Sequence, residues 1–241
     1  MSILKRREAN SLKLRRSILG IFLVVFIVAG FVCIHPVIGT ELPHISLSAN
    51  VSTARPTPVE LPTSLLFVGD VMLGRNVENI IESKGFSFLF DNVATLVASH
   101  DISVANFEGT IPKTHVKTPS FVMQFSIRDE YLSELKDIGF DALSLANNHS
   151  YDYGKEEFEH TQELCQTHSM ICGGSPVLLG DESIKIFEAN GDTIGILFLN
   201  AVFDAPDYKK LESLLTVLKK QSDTQIVYVH WGDEYKLIHN D

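Results

Sequence analysis

Four apolar runs in this chain each end abruptly in a short polar cluster, and that recurrence limits the folds open to it. Leu65–Val68 stops at Gly69 and Asp70, and Ile102–Ala105 at Asn106, Phe107, Glu108 and Gly109. Ala142–Leu145 delivers Asn147, Asn148 and His149, and Ile226–Val229 ends at His230, Trp231 and Gly232. Short runs of aliphatic and aromatic residues bounded by turn formers read as buried strands. Helical patterns are expected between them at 77–84 and 88–99, with Gly85 as the break, and from Asp129 as N-cap to a stop at Gly139. Two more are expected at 155–168 and 208–220, and 121–127 reads as a further strand. Asn190 and Gly191 between 184–189 and 193–199 predict a tight antiparallel hairpin. Strands alternating with helices predict a layered α/β domain. In such sheets ligands gather at the carboxyl ends of the strands, which brings four distant clusters to one rim.

The residue types in those clusters point to divalent-ion chemistry. Asp70 follows Gly69, which lets a ligand approach the backbone closely, although a lone Asp after a strand also serves as a turn former or helix cap. Glu108 is placed to bridge two ions with Asn106 orienting it, or else belongs to a simple Asn-Glu-Gly turn. Asn148 offers an amide oxygen, and His230, as a neutral imidazole, a nitrogen. The mixed oxygen and nitrogen donors Asp70, Glu108, Asn148 and His230 suit Mn, Zn or Mg. His149 is the candidate proton donor to a leaving oxygen, with Asp152 holding its tautomer and Arg75 gripping a phosphate or carboxylate. The alternatives are a surface pair for Arg75 and backbone-satisfying turns for Asn147 and Asn148. Glu234 is a ligand, a supporting partner or an exposed charge.

Charge divides the chain. Six basic residues crowd positions 1–16, whereas residues 17–241 carry 14 basic and 29 acidic side chains. That acidic field disfavours nucleic acid and attracts cations. The uncharged stretch from Ser17 to Ile34 is long enough to span a bilayer, and the basic residues before it place the amino terminus in the cytoplasm. The expected organisation is a basic cytoplasmic tail at 1–16, a single-pass membrane anchor at 17–35, a Pro-, Ser- and Thr-bearing linker at 36–63 and a domain from 64 to 241 outside the cytoplasm. A cleaved signal peptide is the competing reading of the apolar stretch. Cys165 and Cys172 either pair in that oxidising setting or stay as two thiols around a helix end. A zinc site from Cys165, His168 and Cys172 lacks an evident fourth ligand.

Taken together and in order, Gly69–Arg75, Asn106–Gly109, Ala146–Gly154 and His230–Tyr235 resemble the bacterial capsule-synthesis protein CapA family of poly-γ-glutamate biosynthesis, from about Ser64 to the carboxyl end. The resemblance implies a membrane-anchored protein at the outer face of the cell, making or exporting an anionic capsule polymer alongside other membrane-bound synthesis proteins. That family is in turn similar to calcineurin-like metallophosphoesterases, which implies a four-layer α/β sandwich with a two-metal centre. By position, Asp70 is the first-strand ligand, Glu108 takes the place of the bridging carboxylate, Asn148 and His149 match the Asn-His motif, and His230 is a later ligand. Two departures stand out. Met72 occupies the position where the phosphoesterase pattern has histidine, and a soft thioether does not replace imidazole on a hard ion. The final Gly-His-x-His segment does not occur, so a fragment of a longer product is expected, or else a degenerate member. The functions in play are metal-dependent hydrolysis or transfer in capsule assembly, general phosphoester hydrolysis, and a non-catalytic polymer-binding scaffold.

Overall fold

The computed structural model describes residues 62–202 and 205–232. The predicted tail, the anchor at 17–35, nearly all of the linker, and Glu234 lie outside the described residues. Among the described residues no helix is long and apolar enough to cross a membrane.

Four parallel strands form the first sheet: β1 (Leu65–Val71), β2 (Ile102–Phe107), β3 (Ala142–Ser144) and β4 (Ile171–Gly173), in that spatial order. The second sheet is β5 (Ile184–Ala189), β6 (Asp192–Asn200) and β7 (Thr224–His230), with β5 antiparallel and β7 parallel to β6. Helices α1 (Arg75–Lys84), α2 (Ala94–Ser99), α3 (Glu130–Ile138), α4 (Lys155–Thr167) and α5 (Tyr208–Gln221) connect them.

Side-chain alternation sorts these elements into layers. On β2, Ala105 and Phe107 pack with Ile81, Leu132, Leu135 and Phe158 of the helices, while Ile102 and Val104 turn the other way. There they meet Phe187, Ile194, Ile196 and Phe198 of the second sheet. The opposite face of that sheet sends Leu197 and Leu199 against Leu214 and Leu218 of α5. Period-two alternation on strands buried from both sides thus builds three apolar seams and the order helix, sheet, sheet, helix. Each large side chain buried in such a seam contributes about 1.5–3 kcal/mol.

Several local expectations hold. Asp129 caps α3 by accepting from the Glu130 N–H, and Gly139 ends it at φ 118°. Asn190 and Gly191 both take positive φ, 52° and 92°, as a two-residue hairpin turn requires. Cys165 and Cys172 are joined as a disulfide, clipping the end of α4 to β4.

Others do not hold. The stretch 88–99 is not one helix: a 3₁₀ turn at Phe86–Leu89 and a separate α2 share it, because Phe86 and Phe90 are both drawn into the core. The segment 121–127 is no strand. It belongs to a strap, residues 109–128, held at its base by a single parallel bridge between Thr110 and Ser126. The short β4, Ile171–Gly173, carries too little pattern to be read as a strand from sequence alone.

Candidate metal and proton-transfer site

One extra residue in β1 sets the geometry of the whole rim. Phe67 pairs with Val104, but the next partners are Asp70 and Asn106, so three steps on β1 match two on β2. A bulge of this kind sends the following side chain to the other face. Asp70 therefore leaves the helix side and joins Asn106 on the face turned toward the second sheet. His230 continues the alternation of Ile226 and Tyr228 on β7, which also face the first sheet. Three polar side chains from three strand ends thus meet at the mouth between the sheets, and the Tyr228 hydroxyl, donating to the Val68 carbonyl, ties the sheets together just below. Burial there, with Asp70 adding, pushes the Tyr228 phenol up to about 12.

Asparagine amides wire the mouth. Asn106 Nδ2 donates to Asp70 Oδ1 at 2.8 Å and to His230 Nδ1 at 3.2 Å. His230 Nε2 in turn lies 2.8 Å from Asn148 Oδ1. With Nδ1 accepting and Nε2 donating, the ring is neutral, and burial holds its pKa below the ordinary histidine value, with His149 adding and Asp70 opposing. Asn147, fully buried, donates to Asn106 Oδ1 and to the Phe107 carbonyl, at 3.1 and 2.9 Å. Its own Oδ1 accepts from the His149 N–H and the Ser150 hydroxyl. Asn147 is thus the hinge of the loop after β3, and Asn148 the residue that loop presents.

His149 forms the second half. Its Nδ1 is 2.9 Å from Asp152 Oδ2, and its Nε2 is turned toward Glu108, 3.7 Å from Oε1. Asp152 Oδ2 also accepts from the Phe125 N–H at 2.6 Å. The Phe125 ring stacks on the imidazole with centroids 3.9 Å apart and planes 24° from parallel. Arg75, with φ 54°, donates to the Ser120 carbonyl and lies 5.6 Å from the centre of that same ring, so its guanidinium is engaged with the strap. Met72 Sδ accepts from the Gly74 N–H at 3.3 Å and stays within its own loop.

The candidate residues therefore fall into two linked groups: Asp70, Asn148 and His230 around Asn106, and Glu108, His149 and Asp152. Among the described residues no three His, Cys, Asp or Glu side chains converge on one cation position. The donors nevertheless fit a divalent ion. Asn148 Oδ1 and His230 Nε2, hydrogen-bonded here at 2.8 Å, have the spacing of two ligands about 2.1 Å from one ion, which Nε2 could join once its proton passes to Nδ1. Asp70, half exposed, sits on the Nδ1 side of the same ring, 3.7 Å away, where its carboxylate would accept the shifted Nδ1 proton and orient the imidazole. Phe125 and Thr110 join the site without any signal in the sequence. Thr110 donates to the His149 carbonyl at 2.9 Å, and neither residue type carries a metal-site signature.

The model of the family described as bacterial capsule synthesis protein PGA_cap matches residues 64–241. A PGA biosynthesis protein CapA from Bacillus subtilis (strain 168) is 30% identical over 194 residues, covering 74% of this chain and 51% of its own length. A capsule biosynthesis protein CapA from Bacillus anthracis is 25% identical over 193 residues, covering 71% of this chain and 47% of its own length. The chain spans about half the length of the curated relatives it matches. Among solved structures, one described as a novel phosphatase from Mycoplasma pneumoniae has 22% identity, covers 71% of this chain and 56% of that one, and superposes with a TM-score of 0.40.

Proposed function

This chain belongs to the bacterial capsule synthesis protein family, and from that premise we propose that it serves capsule or poly-γ-glutamate assembly through metal-dependent hydrolytic or transfer chemistry at the mouth between its sheets. Asn148 and His230 would supply the first donors for Mn, Zn or Mg, with Asp70 steadying the His230 ring and Glu108 facing His149 in the adjoining group. When bound, such an ion polarises a substrate oxygen as a Lewis acid. With Nδ1–H held by Asp152, His149 acts from its doubly protonated form: Nε2–H passes to the leaving oxygen, and water returns the proton before the next turnover. Glu108, facing Nε2, stabilises the protonated ring between turnovers. The observation that carries this reading is the His149 imidazole, held from behind by Asp152 and turned toward Glu108, one residue along from the Asn148–His230 pair.

We place the protein in the cell membrane, anchored by residues 17–35, with the linker at 36–63 lifting the domain off its outer face. The Cys165–Cys172 disulfide supports an oxidising location. Its partners there are the anionic polymer and the other membrane-bound proteins of polymer synthesis. Met72 favours a second reading, a polymer-binding scaffold without turnover, since its thioether stands where the phosphoesterase resemblance calls for imidazole.

Elemental analysis of the purified full chain, with assays on bis(p-nitrophenyl) phosphate and on poly-γ-glutamate, separates the two. We expect a bound divalent ion, and a loss of about a hundredfold or more in turnover for His149→Ala. A metal-free protein whose polymer binding survives while wild type and variant are equally inert would establish the scaffold instead.

A further inference from the structure

The strap at 109–128 contributes nothing to the candidate metal donors, yet it reaches over His149 and fits it closely. Gly109 makes that approach possible. At φ 149° it lies where side chains are disfavoured, and an added Cβ would stand 3.0 Å from the Phe125 carbonyl and 2.6 Å from Ile127 Cδ1. The Phe125 carbonyl then accepts from the Thr110 N–H at 2.9 Å, and the Ile127 N–H donates to the Thr110 carbonyl at 2.9 Å. Thr110 also donates through its hydroxyl to the His149 and Ser150 carbonyls, at 2.9 and 3.0 Å. Strap and catalytic loop are therefore one hydrogen-bonded body, and Gln124 Nε2 adds a bond to the Asp152 carbonyl at 3.0 Å.

Phe125 is the residue on which this body closes. Its side chain is buried and lies flat on the imidazole, and its N–H shares Asp152 Oδ2 with His149 Nδ1. A carboxylate oxygen held by two donors cannot swing away without losing both bonds, and a ring packed face to face cannot rotate without opening a void. We infer that Phe125 is a positioning residue for His149, fixing the imidazole plane and the Nδ1–H bond to Asp152 so that Nε2–H faces the reacting oxygen. The inference rests on the reading of His149 as proton donor. It assigns to the strap a part in the chemistry that none of its residue types announces.

Phe125→Leu removes the stacked ring and keeps the backbone N–H. With bis(p-nitrophenyl) phosphate and added Mn²⁺, the full-length variant is expected to lose about ten- to a hundredfold in kcat with KM within about twofold, because Phe125 touches His149 and not the substrate. Unchanged kcat in Phe125→Leu, or a rise in KM with kcat kept, would overturn the inference while a dead His149→Ala still upheld the proposed function. A second readout needs no turnover and no folded variant. In metal-free wild-type protein, the His149 Nδ1–H is expected as a slowly exchanging, hydrogen-bonded proton signal, with proton cross-peaks between the His149 and Phe125 rings. A freely exchanging Nδ1–H or missing cross-peaks would overturn the inference whatever the kinetics. Should His149→Ala prove as active as wild type, the proposed function fails, and this spectrum still decides whether Phe125 holds the ring.

Discussion

At the scale of single residues, the mouth between the sheets works through amides that carry no charge of their own. Asn106 and Asn147 spend every polar atom on other members of the site, so the charged and titratable groups stand at fixed distances before any ligand arrives. His230 makes this testable through pH. Burial lowers its pKa in the folded chain, while the unfolded chain takes up its proton near the ordinary value of about 6.5. The unfolded state therefore binds more protons in the interval below that value, and stability rises with pH there. The contribution is whole above about pH 6.5 and is lost as pH falls through the lower, folded value. Thermal melts from pH 8 to 5 should show a steeper acid-side fall in wild type than in His230→Gln, and equal slopes would refute the assignment. His149, Asp152, Asn148 and His230 were legible in the sequence because their types and spacing carry chemistry. Phe125 and Thr110 were not, because stacking and backbone bonding leave no trace in composition.

At the scale of elements, the sequence announced what local chemistry controls and concealed what long-range pairing decides. The cap at Asp129, the stop at Gly139 and the turn at Asn190 and Gly191 follow from side chains that bond or bend their own backbone. The bulge in β1 does not, since its cause is the register with β2, and yet it alone turns Asp70 toward His230. Residues 121–127 have a strand's apolar content but not its pairing, because those side chains serve two different surroundings: Phe125 is buried on His149, whereas Phe121 is largely exposed. What anchors the strap to α1 is electrostatic. Glu78, fully buried, accepts at Oε1 from Arg128 Nε at 2.7 Å and lies 2.8 Å from His115 Nε2, which also reaches Ser126 through Nδ1. Removing the cation should hurt more than removing the anion, because Arg128 is a third exposed and finds water, while Glu78 would be left charged in the interior. Arg128→Met is therefore expected to cost about 3 kcal/mol, and Glu78→Gln distinctly less. Urea denaturation of both variants checks the order, and the reverse order would remove the electrostatic account of the anchor.

At the scale of the whole molecule, the two sheets meet through an apolar seam and open into a polar mouth, so anything bound at that mouth joins elements that otherwise touch only through side-chain packing. Asn148 belongs to the loop after the third strand of one sheet, and His230 to the last described strand of the other. An ion held by both would cross-link the sheets, and because the unfolded chain has no such site, its binding free energy would appear directly as stability. Mn²⁺ at a hundred times its dissociation constant should therefore raise the unfolding free energy by about 2.7 kcal/mol. The same addition should give almost nothing in Asn148→Ala or His230→Ala, which each remove one side of the bridge. Asp70→Asn should retain part of the effect, since its carboxylate lies beside the Nδ1 face of the ring and not between the two sheets' donors. A stabilisation equal in wild type and in all three variants would place the ion elsewhere on this acidic chain. That outcome would detach metal binding from the mouth between the sheets, and with it the chemistry proposed there.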